Sequence, residues 1–189
     1  MCTRWNSKQA AVTTTFHCYS SVIHALALEL MASAGADHAT VSQARGLAVR
    51  LKDIRFIIAL FVLKEIVAVA GPASRQFQGI CTDLAMAAQL VLDCRDKFAE
   101  MRSDNTLSGL TATWKRIDGD AKTFASQHSI EQTEIVERRR SKPLMAGEGA
   151  RDESLVGEER LKVSMFVPVL DQLTMQLKER FSDEQVGER

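Results

Sequence analysis

Apolar and polar positions along this chain recur at three- and four-residue steps, the spacing of helices that bury one face. The most apolar stretch runs from Gln43 to Ala70, and within it Phe56 to Leu63 is an unbroken octet. A helix there is hydrophobic almost all round, which places it in the middle of a bundle rather than on its surface. Periodicity alone also allows a buried strand of that length. Leu, Ala, Lys and Glu dominate the residues after the octet, however, and no turn signal precedes Gly71-Pro72, so helix is expected. Arg55, Lys64 and Glu65 bracket the run, short of the ~20 residues a bilayer span requires.

Amphipathic segments flank this hub. Asn6 or Ser7 suits a helix N-cap, and Val12, Phe16, Tyr19, Ile23, Leu26 and Leu30 then mark one helical face toward Ser33. Ala34-Gly35-Ala36-Asp37 ends that helix. A second is expected to be capped near Thr40, with Ala44, Leu47, Leu51 and Ile54 on one side and Asp53 either capping a new start or marking a kink. Gly71-Pro72 predicts the end of the hub, because proline suits the first turn of a fresh helix. Phe77, Cys81, Leu84, Ala88, Val91, Phe98 and Met101 trace that next helix toward Arg102, and Ser103-Asp104-Asn105 predicts a turn. Leu107, Leu110, Trp114, Ile117, Ala121, Phe124 and His128 give the cleanest heptad-like pattern in the chain.

The pattern breaks at Ser129. Residues 129–158 are polar, poor in large apolar side chains and interrupted by Pro143, Gly147 and Gly149, which predicts a long disordered loop. A last amphipathic segment carries Leu161, Phe166, Leu170, Leu173, Leu177 and Phe181, with Pro168 expected to delay or kink it. The expectation is an all-α bundle of about five or six helices. Its parts are a helical body over 1–128, a mixed basic and acidic linker over 129–158, a final helix over 159–182 packing back on the body, and a frayed tail over 183–189.

Bulk properties narrow the function classes. A chain of 189 residues suits one domain with a substantial core. Lys plus Arg and Asp plus Glu balance at 24 each, so only local patches can attract nucleic acid. Cys2, Cys18, Cys81 and Cys94 are scattered without a CxxC or paired Cys/His spacing, which suits reduced thiols in a cytosolic or nuclear protein. No signal-peptide core and no solenoid period is visible.

Thr3-Arg4-Trp5-Asn6-Ser7 followed by a long amphipathic segment resembles the TRW segment of hAT-superfamily transposases. Ala44 to Val67 resembles a stretch from the branch that includes the transposon-derived parts of MYM-type zinc-finger proteins. The order of the later segments agrees: Arg95 to Arg102, a segment with Trp114 and Phe124, the basic run Arg138-Arg139-Arg140, then Leu161-Lys162-Val163 through Phe166, Leu170-Asp171, Leu177, Arg180 and Phe181. Two positions depart from the pattern. Ile54-Arg55-Phe56 stands where an acidic-aromatic pair is usual, and Gly71-Pro72 where relatives carry a short turn.

The resemblance implies the helical insertion domain of an RNase H-like transposase with the catalytic core absent. The three acidic residues that hold two divalent metal ions in such enzymes match no position of this chain, so it is expected to be catalytically inactive by itself, with no catalytic residue, metal site or cofactor. The implied function is DNA binding in the nucleus, with the cytoplasm as the other location. Trp5 stacks on an unpaired base, Arg4 sits near the backbone, and Arg138, Arg139, Arg140 and Lys142 meet phosphates. Each has a plainer reading: Trp5 packs over the first helix, and the basic run is a solvated loop diluted by Glu131, Glu134 and Glu137.

A competing expectation is an interaction module that recruits itself or a transposase-like partner through uncovered helical faces. No membrane or small-molecule partner is expected. His17 and His24 share a side of one helix, but two turns separate the imidazoles by roughly 10 Å, too far for one ion. Asp118-Gly119-Asp120 lacks the later ligands of a calcium loop and is expected to form a kink or exposed turn. Ser20-Ser21 and Ser108-Gly109 have no identifiable base, and no phosphate-cradling glycine motif is present. Met86, Met101, Met165 and Met175 are expected to fill the core.

Overall fold

The structure, a computed structural model, describes residues 4–31, 38–77, 84–104, 107–130 and 157–181, and all of its regular structure is helical. Five long helices come first: α1 (Arg4–Met31), α2 (His38–Leu51), α3 (Ile54–Phe77), α4 (Leu84–Arg102) and α5 (Leu110–Gln127). A C-terminal arm completes the fold, made of α6 (Glu158–Leu161), a π-helical turn (Lys162–Phe166) and α7 (Val167–Arg180). The bundle expected from periodicity is present. The segment 131–156 and the tail after Phe181 lie outside the described residues.

The apolar hub becomes α3, against which α1, α2, α4 and α5 all pack. Ile54, Ile57, Ile58, Leu60, Phe61, Val62, Ile66 and Val67 are buried on it, as a helix apolar on several sides requires. By length and composition α3 would also pass for a membrane span. Half of its most apolar window is buried inside the bundle (50%), the situation of a central helix. Asp53 settles the corner before it as a cap rather than a kink. Its Oδ1 accepts the Arg55 N–H at 2.8 Å, which satisfies one of the four N–H groups that a helix start leaves open.

Gly71-Pro72 does not stop the hub. Helix α3 continues through Pro72 to Phe77, and Phe77, expected on the following helix, is its last residue. A proline at this point removes the N–H that would reach the carbonyl of Ala68, four residues back. Ala68 and Pro72 both lie on the exposed side of α3, so that carbonyl is solvated. Gly71 and Ala73 beside them are buried, and their packing holds the helix together. Gly71 is also where α1 comes close. A Cβ there would stand 3.3 Å from the Gln9 Oε1 and from the Arg75 Nη1, two atoms that are themselves 3.3 Å apart and hydrogen-bonded.

One core cluster joins α1, α3, α4, α5 and the arm. Its fully buried members include Tyr19, Ile57, Phe98, Ile117, Phe166 and Leu170. Aromatic edges tie three helices together: Phe16 meets Phe61 at 4.9 Å and Phe124 at 5.5 Å, and Tyr19 meets Phe124 at 5.1 Å, all near the T-shaped geometry that ring quadrupoles favour. The Tyr19 hydroxyl donates to the Leu51 carbonyl at 2.5 Å. That pins α1 to the C-terminal end of α2, where helical carbonyls have no intrahelical donor.

Several expected core positions fall elsewhere. Leu107 precedes α5 and is fully exposed, and Leu47 on α2 is half-exposed. Met101 is core, but Met86 and Met175 face solvent. Asp118-Gly119-Asp120 is neither kink nor turn but part of α5, with Asp118 buried.

Helix α5 ends in a Schellman-type cap. Ile130 N–H reaches the Ala125 carbonyl at 2.9 Å and Ser129 N–H the Ser126 carbonyl at 3.2 Å. Ser129 takes the left-handed conformation (φ 53°) that such a cap usually assigns to glycine, and Ile130 tucks into the core behind it. Pro168 also finds an accommodation. The π turn ends two residues before it, and the wider turn relieves the clash a proline ring makes with the preceding carbonyls.

Candidate functional site

The residues singled out for nucleic-acid contact lie at the margins of what the structure describes. Arg4 and Trp5 form the opening turn of α1, and their side chains lie outside the described residues. Arg138, Arg139, Arg140 and Lys142 fall in the segment 131–156, also outside them. Lys8, one turn after Arg4 on α1, is exposed. The opening turn of α1 contains no acidic residue.

The histidines do not converge. His17, His24 and His38 are exposed, while His128 is half-buried and stacked 4.4 Å from Phe124 and 4.9 Å from Tyr19. Among the described residues, no group of three His, Cys, Asp or Glu side chains is placed to share an ion.

Sequence reasoning missed the most unusual chemistry in the molecule, a polar seam between α5 and the arm. Thr111, Trp114, Asp118 and Lys122 lie on α5 at steps of three and four, and so form one stripe. Asp118 is buried, its Oδ2 pairs with Lys122 at 2.7 Å, and Lys122 also reaches Glu158 on α6. Lys162 is buried in the π turn. Among the described residues its ammonium meets the Thr111 hydroxyl and the Glu159 carboxylate, each at 3.4 Å, which is long for a hydrogen bond to a charged group.

Trp114 packs its ring 5.7 Å from Phe166, and its buried indole N–H finds no acceptor among the described residues. The Oδ1 of Asp118 is likewise buried without a donor among them. Each such group costs about 1–3 kcal/mol of lost hydration. In sequence the seam is visible only as Asp118 and Lys162 at positions of apolar register.

Two shallow grooves flank the bundle. One, of about 480 Å³, lies between α4 and α7 and is lined by Arg102, Ser103, Asp171, Thr174, Met175 and Lys178, among others. Arg102 and Asp171 pair across it at 2.7 Å, and the Thr174 hydroxyl is buried without a partner among the described residues. The other, of about 300 Å³, has Val69, Met101 and Thr113 among its lining residues. At its rim Arg116 holds Glu65 through two hydrogen bonds of 2.9 and 2.6 Å, which raises the guanidinium pKa above its ordinary value. Glu100 nearby accepts from Lys97 at 2.7 Å and from Ser108, and these bonds hold its carboxyl below the usual carboxylate range.

The outer side of α3 is less well covered than a hub should be. Phe56, Ala59, Leu63, Ala70 and Phe77 succeed one another at helical steps, with Leu63 47% and Phe77 39% exposed. Comparison with family models, curated proteins and solved structures finds no match to this chain.

Proposed function

We propose that this chain is a helical module of the hAT transposase-like, MYM-type zinc-finger group, inactive as a nuclease by itself, that binds DNA in the nucleus. The observation that supports it is the start of α1. Arg4 and Trp5 open a 28-residue helix whose first turn lacks acidic side chains, with Lys8 one turn on. A helix N-terminus presents unpaired N–H groups and a partial positive charge, and Arg4 and Lys8 add to it. Phosphates are drawn to such an end, and Trp5 offers a surface for an unpaired base, with Arg138, Arg139, Arg140 and Lys142 as further phosphate contacts. The test is fluorescence anisotropy with a hairpin-ended duplex carrying an unpaired base. Trp5→Ala is expected to lose ~1–3 kcal/mol of affinity, and Arg4→Ala to weaken binding and lower the salt slope by about one. Equal affinity of both variants and the parent would end this reading.

A second reading rests on the uncovered stripe of α3. Leu63 and Phe77 are apolar side chains left partly exposed on α3, with Ala70 between them and the Phe77 ring 6.2 Å from Phe181. They suit contact with a second copy of the chain or a transposase-like partner. Sedimentation velocity over a wide concentration range decides it. Association abolished by Leu63→Glu supports the strip as an interface; a monomer at every concentration, alone and with candidate partners, argues against it.

A further inference from the structure

We propose that the C-terminal arm is a releasable strap, which opens from the α4–α5 side of the bundle while the α1–α3–α5 body stays folded. Every buried side-chain polar atom that lacks a partner among the described residues belongs to the arm or to the α5 stripe facing it: Trp114 Nε1, Asp118 Oδ1 and Thr174 Oγ1. Lys162, a residue largely buried despite its charge, and the π turn are on the same element. Elsewhere buried polar groups are well served, as where Tyr19 donates to Leu51 and Thr113 to Ser108. Unmet polar groups regain hydration when the arm lifts, so they favour the open state.

What holds the arm down is of two kinds. Leu161, Phe166 and Leu170 are buried anchors, and Val169, Leu173 and Leu177 pack partly buried against the same core. Arg102–Asp171 and Lys122–Glu158 are ion pairs with exposed members, which salt screens. These apolar contacts and screened charges, set against the unmet polar groups, define a unit that opens below the free energy of the whole fold. Opening uncovers Trp114 and the apolar side of the arm itself, so the strap gates that face and does so in a salt-sensitive way.

Native-state hydrogen exchange on the full chain, read by mass spectrometry, tests this. Peptides covering 167–180 are expected to exchange at least about tenfold faster than those covering 57–67, with a weaker dependence on denaturant. Lys162→Met, which removes the charge and keeps the length, is expected to slow exchange in the arm about tenfold and leave α3 unchanged. A second readout uses the Trp5→Phe background, in which Trp114 is the only indole. Acrylamide quenching is expected to rise with salt before any loss of helix signal. Exchange of arm and hub with one rate and one denaturant slope would overturn the proposal. So would a Lys162→Met effect spread evenly over the bundle, or Trp114 quenching that appears only on global unfolding.

Discussion

Tyr19 is the only tyrosine in the chain, which makes one buried hydroxyl open to a clean spectroscopic test. It is 2% exposed, and burial pushes its phenol pKa up from 10.0 to about 12. The folded chain therefore holds this proton more tightly than the unfolded chain does. Below pH 10 both states are protonated and the stabilisation is whole. Between about pH 10 and 12 only the unfolded state ionises, and stability falls; above about 12 the contribution is gone. Two pKa units amount to about 3 kcal/mol, of which about half is lost by pH 11.

Tyr19→Phe separates this from the hydrogen bond. The variant keeps the ring against Phe124 and His128 but leaves the Leu51 carbonyl without its donor. The expected cost is about 1 kcal/mol at neutral pH, since Leu51 is only half-buried and its carbonyl can recruit water. The variant has no phenol to ionise, so its stability lacks the alkaline loss. Urea midpoints of the two proteins should therefore converge and cross near pH 11, other titrating groups cancelling in the comparison. Tyrosinate absorbance in the folded parent should rise near pH 12. A rise centred near pH 10 with native helix intact would refute the reasoning, because burial would then leave the phenol unshifted.

Individual contacts support three further expected outcomes. Phe98→Ala, at a site 1% exposed, should cost about 3–5 kcal/mol in urea unfolding through the cavity it leaves; a loss under 1 kcal/mol would mean that α4 does not pack as described. Ser129→Gly should raise stability by about 1 kcal/mol, since the φ of 53° is costly for serine and open to glycine, and an unchanged melting point would place Ser129 outside that conformation. Cys18 is exposed, whereas Cys94 is buried, donates its thiol to the Val69 carbonyl at 3.1 Å and has its pKa raised, first by burial and then by Asp93. A thiol reagent should label Cys18 at once and Cys94 only under unfolding conditions, as peptide mass spectrometry will show.

The bundle was legible because α3 announces itself: an octet from Phe56 to Leu63 leaves a helix no polar face to show to water. The α5 pattern was legible for the same reason, with Leu110, Trp114, Ile117 and Ala121 all buried where the heptad spacing put them. The failures have one physical origin. Gly71-Pro72 is a breaker in isolation, yet Ala68 and Pro72 happen to face water, so the lost hydrogen bond is replaced by hydration and the packing of Gly71 and Ala73 decides the outcome. Leu107 and Leu47 continued a periodic run past the point where a neighbouring helix was present to receive it. Propensity and period describe one helix at a time, whereas these outcomes depend on which side the next helix lies.

The polar seam shows why the candidate chemistry was harder to foresee than the fold. Asp118 and Lys162 are far apart in sequence, and each alone has the appearance of a surface charge on an amphipathic helix. Only the return of the arm across α5 takes them out of water, and it does so without supplying full partners. Apolar groups of similar volume in place of buried charges are often neutral or stabilising, so the burial of Asp118 with its Lys122 partner adds nothing that packing could not have supplied better. What the seam does supply is a difference between elements. The α1–α3–α5 body is joined by aromatic edges, whereas the arm is joined by apolar anchors working against unmet polar groups. A helix docked in that way separates from its bundle at a lower free energy than the bundle comes apart, and the order of those two events is what the exchange experiment measures.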